Sequence, residues 1–558
     1  MTPNVTKEKP VMRVPTNLAT RYPRRALALA AAGLIALPMM LTACGSDKSD
    51  DAASSGSATA TGDAATTANE GDGSDSAGTT TEGGGEGHLT LGVIGNSADQ
   101  VDPYSEQSSL SGLAVWTQVY DGLTYITHDG GVEMALAESF TPNETLDVWT
   151  IKLKAGIKTH GGHDFTADDV IYSFQRMLDE EHPYAAAYHI AMVELDGIKK
   201  IDDLTVEIPL SRPYGMFPEL MGRERLKMTS QYELDGNPDG TGMFELVSFT
   251  PGREATFKRF EDYWGEKPGF TDLTIQFFAD QEAVANALRG GQIDVAHSVP
   301  MTDAKAFATT DGISLIESES AAHLTLDMNT AMEPFSDDRV REAFRLIINR
   351  QLTVDNAYGG YAVVANDING NNTACAPPDV PQREQDLEGA KQLLAEAGYD
   401  ESNPLTVELV TDAFNPGMYE TAELFAQEAA KIGVIVEPRQ LDAATFLDNW
   451  LEWQFVINWS GSSYPEMSSS HFLPGGEDNA THFDDPEFNE LHEQMEATAV
   501  AAEQCQYIEA MQLIEYERGS VIVPVYQIDV TPYRDRVHGL QQDLYNRTSF
   551  SYAGVTVD

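Results

Sequence analysis

The chain has 558 residues, 42% of which are hydrophobic, and its 88 acidic residues far outnumber its 35 basic residues. A length of this order predicts two or three domains, and the hydrophobic content excludes a wholly disordered chain. The formal net charge of −53 argues against nucleic acid as a partner, because a phosphate backbone is bound by clustered lysines and arginines. It predicts a solvated, strongly repelling surface, with adaptation to a salty medium as the alternative.

Residues 1–43 have the pattern of a secretory signal. Three arginines between positions 21 and 25 precede an apolar run at 26–41, and small residues then lead to Cys44. The run is shorter than the roughly 20 residues that span a bilayer, so a cleaved signal is favoured over a permanent transmembrane helix. The segment that ends in Cys44 resembles the lipobox of bacterial lipoproteins, in which this cysteine is lipidated and becomes the mature N-terminus. Ordinary cleavage beside an incidental cysteine is the alternative.

Residues 44–87 follow as the predicted lipidated cysteine and a flexible, acidic linker. From position 45 onward they are almost entirely Ser, Thr, Gly, Ala, Asp and Glu, with no aromatic residue. Such a stretch cannot offset its ordering entropy by burial. No later segment of the sequence is apolar for long enough to span a membrane. We therefore expect the globular part to begin near His88 and the protein to be held at the membrane only through its N-terminal lipid.

Short alternating runs and helical repeats follow one another along the rest of the chain, which predicts mixed α/β structure. The predicted strands are Leu89–Ile94, Trp149–Leu153 and Val434–Val436. Helices are predicted after Thr166, whose side chain can cap, and along runs near Val340, Leu387 and Phe425. We expect glycines to end the last two of these helices, at Gly398 and Gly433.

The sequence lacks the motifs of an enzyme. It contains no G-x-S-x-G, no Walker A run and no H-E-x-x-H. His160 and His163 are too few ligands for a metal, and a surface turn is the better interpretation of this pair. Acidic pairs lie beside helix starts, where they act as caps and as partners of the helix dipole. We expect no catalysis, no cofactor and no metal.

Beyond Cys44 the chain has two cysteines, Cys375 and Cys505. An oxidising extracytoplasmic environment would permit a disulfide between them. The sequence does not show whether their Cα atoms come within the roughly 7 Å that a disulfide needs, so two buried thiols are the alternative.

Several segments form a series in order along residues 88–558. The most specific runs from Lys158 to Phe174, with the sequence KTHGGHDFTADDVIYSF. The others include VYDGL at 119–123, ALAESF at 135–140, DYWG at 262–265, GQIDV at 291–295, PFSDDRVREA at 334–343 and AKQLLAEAGY at 390–399. Each of these is weak alone, but their common order argues against chance. In this order the segments resemble the family 5 extracellular solute-binding proteins, the oligopeptide- and dipeptide-binding class.

The resemblance implies an α/β, two-lobed periplasmic-binding-protein-like fold of type II, cluster C, with an extra domain and a hinge between the lobes. Domain I would be discontinuous, comprising residues 88–118, 230–318 and 537–558. Domain II, the extra domain, would be residues 119–229, and domain III, the second lobe, residues 319–536. The ligand would be enclosed between the lobes, which close by a hinge motion.

One departure from the family bears on the ligand. Peptide binders of the family have an aspartate shortly after a tryptophan, and it pairs with the ligand's ammonium group. Here Ser463 stands where that aspartate would fall after Trp459. A buried ammonium without a carboxylate costs several kcal/mol, so either Glu466 substitutes or the ligand has no free N-terminus. The predicted ligand-binding residues are Tyr120, Asn329, Trp459, Gly461, Ser463, Tyr464 and Glu466. Core packing is the alternative role for Trp459 and Tyr464.

The implied function is that of a lipid-anchored substrate-binding protein at the extracytoplasmic face of the cell membrane. It would capture a peptide or peptide-like solute, act as a monomer, and deliver the solute to the permease subunits of an ABC importer. A non-peptide cargo, such as a sugar, haem or a metal chelate, is one alternative. A signalling lipoprotein that presents its ligand to a sensor is another, and an envelope hydrolase has the least support.

Overall fold

The structure is a computed structural model of the chain. It describes residues 87–95, 97, 99–104, 110–127, 131–182, 184–233, 238–370, 375, 378–412, 417–442, 445–446, 449–541 and 552–558. The predicted signal segment, Cys44 and the linker up to residue 86 lie outside the described residues. Within these ranges, no helix is both long enough and apolar enough to cross a membrane.

The strands of the described chain are numbered in chain order. They are β1 (His88–Ile94), β2 (Thr124–Ile126), β3 (Val132–Met134), β4 (Ala137–Pro142), β5 (Val148–Leu153), β6 (Lys199–Asp202), β7 (Thr205–Pro209), β8 (Phe244–Thr250), β9 (Glu254–Arg259), β10 (Asp272–Phe278), β11 (Val295–Ala296), β12 (Ile313–Met328), β13 (Ala362–Val364), β14 (Thr406–Thr411), β15 (Ile435–Gln440), β16 (Phe455–Ser460), β17 (Val521–Ile522), β18 (Val525–Arg534), β19 (Val537–His538) and β20 (Thr556–Val557).

The α-helices of the described chain are numbered in the same way. They are α1 (Leu110–Val119), α2 (Ala167–Met177), α3 (Ala186–His189), α4 (Phe217–Leu220), α5 (Gln281–Gly290), α6 (Met301–Phe307), α7 (Asp338–Ile347), α8 (Arg350–Asn356), α9 (Leu387–Glu396), α10 (Met418–Ala430), α11 (Tyr464–Met467), α12 (Pro486–Glu496) and α13 (Ala501–Arg518). A π-helical turn, Ser468–Phe472, follows α11.

The largest sheet of the described chain has the strand order β15-β14-β16-β12-β18-β11-β1-β10-β9-β8, with β13 beside β18 and β17 beside β12. The pairs β1/β10 and β14/β15 are parallel. Strands β12 and β18 are antiparallel and pass through both halves of the sheet. We call the half with β1 and β8–β11 the first lobe, and the half with β13–β17 the second lobe. The expected two-lobed α/β fold is confirmed.

Helices α7–α10 cover one face of the second lobe. Phe344 of α7 and Phe425 of α10 pack on Phe455 of β16, with ring centroids 5.5 and 5.8 Å apart. In the first lobe, α1 contributes Val115 and Trp116 to a core shared with β1, β9 and β10, while α5 and α6 form a second core beside β11. Burial of these apolar faces is the main stabilising contribution within each lobe.

The elements predicted from sequence are present, with changes at their ends. Helix α2 follows Thr166, whose backbone N–H donates a hydrogen bond to Asp169 Oδ2 at 2.8 Å. Strand β15 extends to Gln440, four residues beyond the predicted end. Gly398 and Gly433 follow α9 and α10 with φ angles of 97° and 85°. Their left-handed backbone is the conformation for which glycine was expected at these helix ends.

Strands β4–β7 form a separate sheet in the order β4-β5-β7-β6. We call this sheet, with α2–α4 and the chain as far as residue 229, the small-sheet region (residues 137–229). Its buried side chains include Trp149 and Phe217, and the same apolar cluster continues into Phe488 and Met495 of α12. The small-sheet region therefore packs against the second lobe. The domain boundaries given above stay a prediction.

A disulfide joins Cys375 to Cys505 of α13, with the two Cα atoms 5.1 Å apart. Upstream of Cys375, Asn369 is held on the same helix, since its backbone N–H and its Nδ2 donate to Glu515 Oε2 at 3.0 and 2.9 Å. Helix α13 thus fixes this segment at two points. The sequence alone had left the state of the two cysteines open.

Candidate functional site

The carboxyl ends of strands from both lobes border one interlobe region. In the first lobe β1 ends at Ile94 and β10 at Phe278, and in the second lobe β14 ends at Thr411 and β15 at Gln440. In open α/β sheets, ligands bind outside the carboxyl ends of parallel strands, where loops and helix N-termini converge. This region is therefore the candidate ligand site.

A cavity of about 790 Å³ lies between the lobes at these strand ends. The first lobe contributes Ile94 and the first turns of α5 and α6, and the second contributes the end of α8, the start of α10 and Gln440. Lys305 of α6 and Gly359 beyond α8 lie next to each other across the cavity, since a Cβ on Gly359 would be 2.9 Å from Lys305 Nζ. A space of this size accommodates a small-molecule ligand.

Acidic side chains dominate the cavity lining. Asp280, Glu282, Asp355 and Glu420 are acidic, and Lys305 is the one basic residue in the described lining. Asp280 is also the N-cap of α5, where it accepts a backbone hydrogen bond at 2.8 Å. All of these side chains are solvent-exposed. Each carboxylate therefore attracts a cation 4 Å away by only about 1 kcal/mol. The lining therefore favours a positively charged group over a carboxylate.

The start of α10, at the edge of the cavity, packs against Tyr358, which is hydrogen-bonded to β18. Gly417 has a φ of 82°, and a Cβ there would lie 2.9 Å from Tyr358 Cζ, so both backbone and space require glycine. Tyr358 is buried, and its hydroxyl accepts a hydrogen bond from Gln527 Nε2 of β18 at 3.1 Å. The first turn of α10 is thereby tied to a strand that runs through both lobes.

Trp459 and Gly461, two of the predicted ligand-binding residues, lie at the carboxyl end of β16. Trp459 is half-buried against the core of the second lobe. Gly461 lies against its indole, where a Cβ would come within 2.4 Å of Trp459 Cη2. Between them, the buried Ser460 Oγ has no hydrogen-bond partner among the described residues. This strand end therefore retains hydrogen-bonding capacity for a ligand or water.

Ser463 and Glu466 face the small-sheet region and do not line the cavity. The Ser463 hydroxyl donates a hydrogen bond to Glu219 Oε1 at 2.7 Å. Arg223 lies between two carboxylates, with its Nη2 3.6 Å from Glu219 Oε2 and its Nε 3.8 Å from Glu466 Oε2. Burial raises the pKa of Glu219, against the opposing effect of Arg223. A carboxylate does lie beside position 463, but it comes from residue 219 and is already engaged.

Tyr464 occupies a core position. It is fully buried, and its hydroxyl donates to Glu515 Oε1 of α13 at 2.6 Å. Burial and the adjacent carboxylate raise the pKa of the Tyr464 phenol well above its usual value. Burial likewise raises the pKa of Glu515 to about 7. This is the core-packing alternative that the sequence offered for Tyr464.

Tyr120 and Asn329 belong to other elements than the segment at 459–466. Tyr120 is buried at the end of α1, and its hydroxyl donates to Glu233 Oε2 at 2.9 Å. Asn329 follows β12, at the end opposite the cavity, because Met328 pairs with Phe455 while His323 pairs with Ser460. Five residues of strand place these two ends roughly 16 Å apart. The structure therefore does not bring Asn329 together with the other predicted residues.

Sequence reasoning missed Glu219, Arg223 and the charged lining of the cavity. Glu219 meets Ser463 across 244 residues of sequence, and the lining comes from several separate segments. None of these residues belongs to a motif that the sequence analysis used. Only the helix starts at Asp280 and Gly417 carry a local signal, and that signal indicates a helix cap.

The family model for bacterial extracellular solute-binding proteins, family 5, middle region, matches residues 131–480. The chain belongs to this family. The match covers the small-sheet region, most of the first lobe and much of the second lobe. The family predicted from the sequence motifs is therefore confirmed.

Two curated relatives have different ligands in their names. Heme-binding protein A of Haemophilus influenzae is 27% identical over 481 residues, which cover 79% of this chain and 87% of that protein. Glutathione-binding protein GsiB of Pectobacterium atrosepticum is 28% identical over 359 residues, covering 63% and 69%. Family 5 members similar to this chain thus differ in cargo.

Solved structures share the fold over most of the chain. The periplasmic binding protein DppA from Helicobacter pylori, in complex with the peptide STSA, matches with a TM-score of 0.73 and 21% identity, covering 85% of this chain and 98% of that one. NikZ from Campylobacter jejuni, in complex with Ni(L-His), matches with a TM-score of 0.73 and 21% identity, covering 84% and 97%. At these identities the likeness concerns the fold alone.

Proposed function

We propose that this family 5 protein is the substrate-binding component of an ABC importer, held at the outer face of the cell membrane through a lipid on Cys44. It captures a peptide or peptide-like solute between its lobes and delivers it, as a monomer, to the permease. The interlobe cavity of about 790 Å³, lined by both lobes at the carboxyl ends of their strands, is the observation that carries this proposal.

The protein contributes binding and closure, with no chemical step. Strands β12 and β18 connect the lobes, and their pairing shifts register between Glu319 and His323. Such an irregularity bends and twists a strand pair, which suits it to act as the hinge. Closing the lobes around the solute gives the permease one compact form to recognise, while ATP is hydrolysed by a separate subunit.

The cavity favours a solute with a positive group and without a free carboxylate nearby. Its described lining has four carboxylates and one lysine. A carboxylate of the solute would be repelled by these groups, whereas an ammonium or guanidinium would be attracted. A peptide-like solute with a basic side chain or a blocked C-terminus fits this pattern.

A non-peptide cargo is the second candidate, and the engagement of Ser463 with Glu219 favours it. Position 463 has no carboxylate of its own, and the carboxylate beside it, Glu219, already accepts from Ser463 and lies 3.6 Å from Arg223. Neither residue is therefore available to pair with a free N-terminus. Relatives named for heme and glutathione binding support the breadth of cargo within the family.

Mass spectrometry of the full-length protein, purified in mild detergent from its native membrane, tests both parts of the proposal. Small molecules released on denaturation should include a peptide-like, basic or C-terminally blocked compound. The intact chain should begin at Cys44 and carry the mass of a lipid. A haem, sugar or metal chelate in the cavity would favour the second candidate. A chain cleaved elsewhere and free of lipid would contradict the anchoring.

A further inference from the structure

The contact between the small-sheet region and the second lobe contains a cluster of charged groups. The small-sheet region contributes His189, Glu219, Arg223 and Arg225, and the second lobe contributes Glu466, Glu477 and Asp478. We call these seven residues the interdomain ionic cluster. It lies beside the Ser463–Glu219 hydrogen bond and outside the described lining of the ligand cavity.

The cluster is a connected chain of charges across the contact. Arg223 lies 3.6 Å from Glu219 and 3.8 Å from Glu466. Its Nη1 lies 3.3 Å from His189 Nδ1, and His189 Nε2 lies 3.8 Å from Glu477 Oε1. Arg223 and His189 are buried, so salt screens the interactions that these two residues make less than it screens those of exposed groups.

Negative charge exceeds positive charge in the cluster. Four carboxylates face two guanidinium groups, Arg223 and Arg225. The histidine does not supply a third cation, because burial and the neighbouring Arg223 lower the pKa of His189 to about 4. With every carboxyl group ionised and His189 neutral, the seven residues carry a net negative charge. Gathering that charge in a partly buried contact disfavours the ionised form of the carboxyl groups.

A metal ion does not account for this excess. Among the residues that the structure describes, no group of three or more His, Cys, Asp or Glu side chains is arranged to hold a metal. The simplest way to remove the excess charge is to add protons to the carboxylates. Glu477 and Asp478 face each other. The other titratable or charged groups that face them are Arg223, Arg225, Glu466, His189 and the phenol of Tyr188, and Ser470 donates to Asp478.

We propose that closure of the second lobe onto the small-sheet region takes up protons at the interdomain ionic cluster, so that acid favours the closed form. The proposal concerns this contact and does not depend on which solute the cavity binds. It links capture of the solute to the pH outside the cell: binding becomes tighter in an acidic medium and looser towards neutral pH.

The pKa shifts of Glu477 and Asp478 have the direction that proton uptake on closure requires. In the closed contact, burial and then Asp478 raise the pKa of Glu477 to about 7, and burial raises the pKa of Asp478 to about 6. A carboxyl group with a raised pKa holds its proton in the closed form. Its stabilising contribution is complete below the ordinary pKa of about 4 and is lost as pH rises through 6 to 7. Glu477 keeps 39% of its side chain exposed, which reduces its share.

Hydrogen exchange of the full-length protein in detergent, measured without solute from about pH 4.5 to pH 8 and corrected for the intrinsic exchange rate, tests the proposal. Protection of the segments 215–226 and 464–478 should fall by roughly tenfold between pH 5 and pH 7.5, while the sheet core at β1 and β10 stays unchanged. The double variant Glu477→Gln/Asp478→Asn should keep high protection across the whole range.

The matched control is Glu493→Gln/Glu509→Gln, which makes the same change in charge at exposed positions of α12 and α13. It should retain the pH profile of the unmodified protein. If the double variant fails to fold, Glu477→Gln alone should shift the midpoint to lower pH. Protection independent of pH in the unmodified protein would overturn the proposal, as would a profile that survives both substitutions. If protection responded to added calcium at fixed pH and did not respond to pH, closure would be linked to a metal ion and not to protons, which would also overturn the proposal.

Discussion

Among single residues, the contact between Ser463 and Glu219 changes the role that the sequence suggested for Ser463. The sequence indicated a site that lacks a carboxylate, and the structure places one 2.7 Å from the serine hydroxyl. That carboxylate comes from another part of the chain, keeps 13% of its side chain exposed and shares Arg223 with Glu466. Ser463 therefore acts as a donor in a contact between two parts of the protein.

Ser463→Asp tests this role. The new carboxylate would face Glu219 without a hydrogen to donate, so two like charges would meet in a buried contact. We expect the free energy of unfolding, measured by urea denaturation at neutral pH, to fall by about 1–3 kcal/mol. Lowering the pH should restore part of the loss, because either carboxyl group can then take up a proton.

The control for this prediction is a double-mutant cycle with Glu219→Gln. In that background the repulsion is absent, so Ser463→Asp should cost less than in the unmodified protein. Ser462→Asp, one residue away and half-buried, makes the same change in charge beside the contact. An equal cost of Ser463→Asp in both backgrounds would show that residues 219 and 463 are not coupled.

At the scale of elements, α13 links several features of the second lobe. Its Cys505 is bonded to Cys375, its Glu515 accepts hydrogen bonds from Asn369 and Tyr464, and Gln512 Nε2 donates to the carbonyl of Asn369 at 2.8 Å. The segment before Cys375 and the turn after β16 are thus held by one helix. The hydrogen bonds and the disulfide place the same segment.

The disulfide should contribute measurably to stability, because it closes a loop of 130 residues in the unfolded chain. We expect Cys375→Ser/Cys505→Ser to lower the free energy of unfolding by about 2–4 kcal/mol. Urea denaturation of the oxidised protein, the reduced protein and the double variant measures this. The last two should unfold together at the lower urea concentration. Coincident curves for the oxidised and reduced proteins would contradict the bond.

The sequence predicted elements better than it predicted contacts between them. Local signals, such as the run after Thr166 and the glycines at 398 and 433, located helices and their ends, because capping depends on neighbouring residues. The family motifs supplied the two-lobed fold. The pairing of Ser463 with Glu219 has no local signal, since it depends on how the small-sheet region packs on the second lobe. Asn329 and Trp459 lie towards opposite ends of the β12/β16 pair, and no local signal in the sequence gives this register.

At the scale of the whole molecule, the charge of the chain and the charge of the cavity have the same sign. The whole chain has a net charge of −53, and the described lining of the cavity has four acids and one lysine. A cationic solute is attracted by the general field at long range and by the lining at short range, and salt screens the first more than the second. These two contributions can be separated by experiment.

Blocked peptides of equal length are suitable probes: N-acetylated tripeptide amides that carry two lysines or none. We expect the dicationic probe to bind more tightly, and its association rate to fall by about tenfold between low salt and about 0.5 M salt. Asp355→Asn/Glu420→Gln removes two charges from the lining. It should weaken the dicationic probe by roughly thirtyfold, at about 1 kcal/mol for each of the two charges, and leave the neutral probe unchanged.

The matched variant Asp311→Asn/Glu388→Gln removes two exposed charges that do not line the cavity. It alters the net charge equally, so it should slow association slightly at low salt and leave the affinity at high salt unchanged. If the two double variants weakened the dicationic probe equally, its tighter binding would be due to the net charge of the protein and not to the carboxylates that line the cavity. A stronger effect of the cavity variant at high salt would locate the positive group of the solute beside Asp355 and Glu420, because only short-range pairs survive screening.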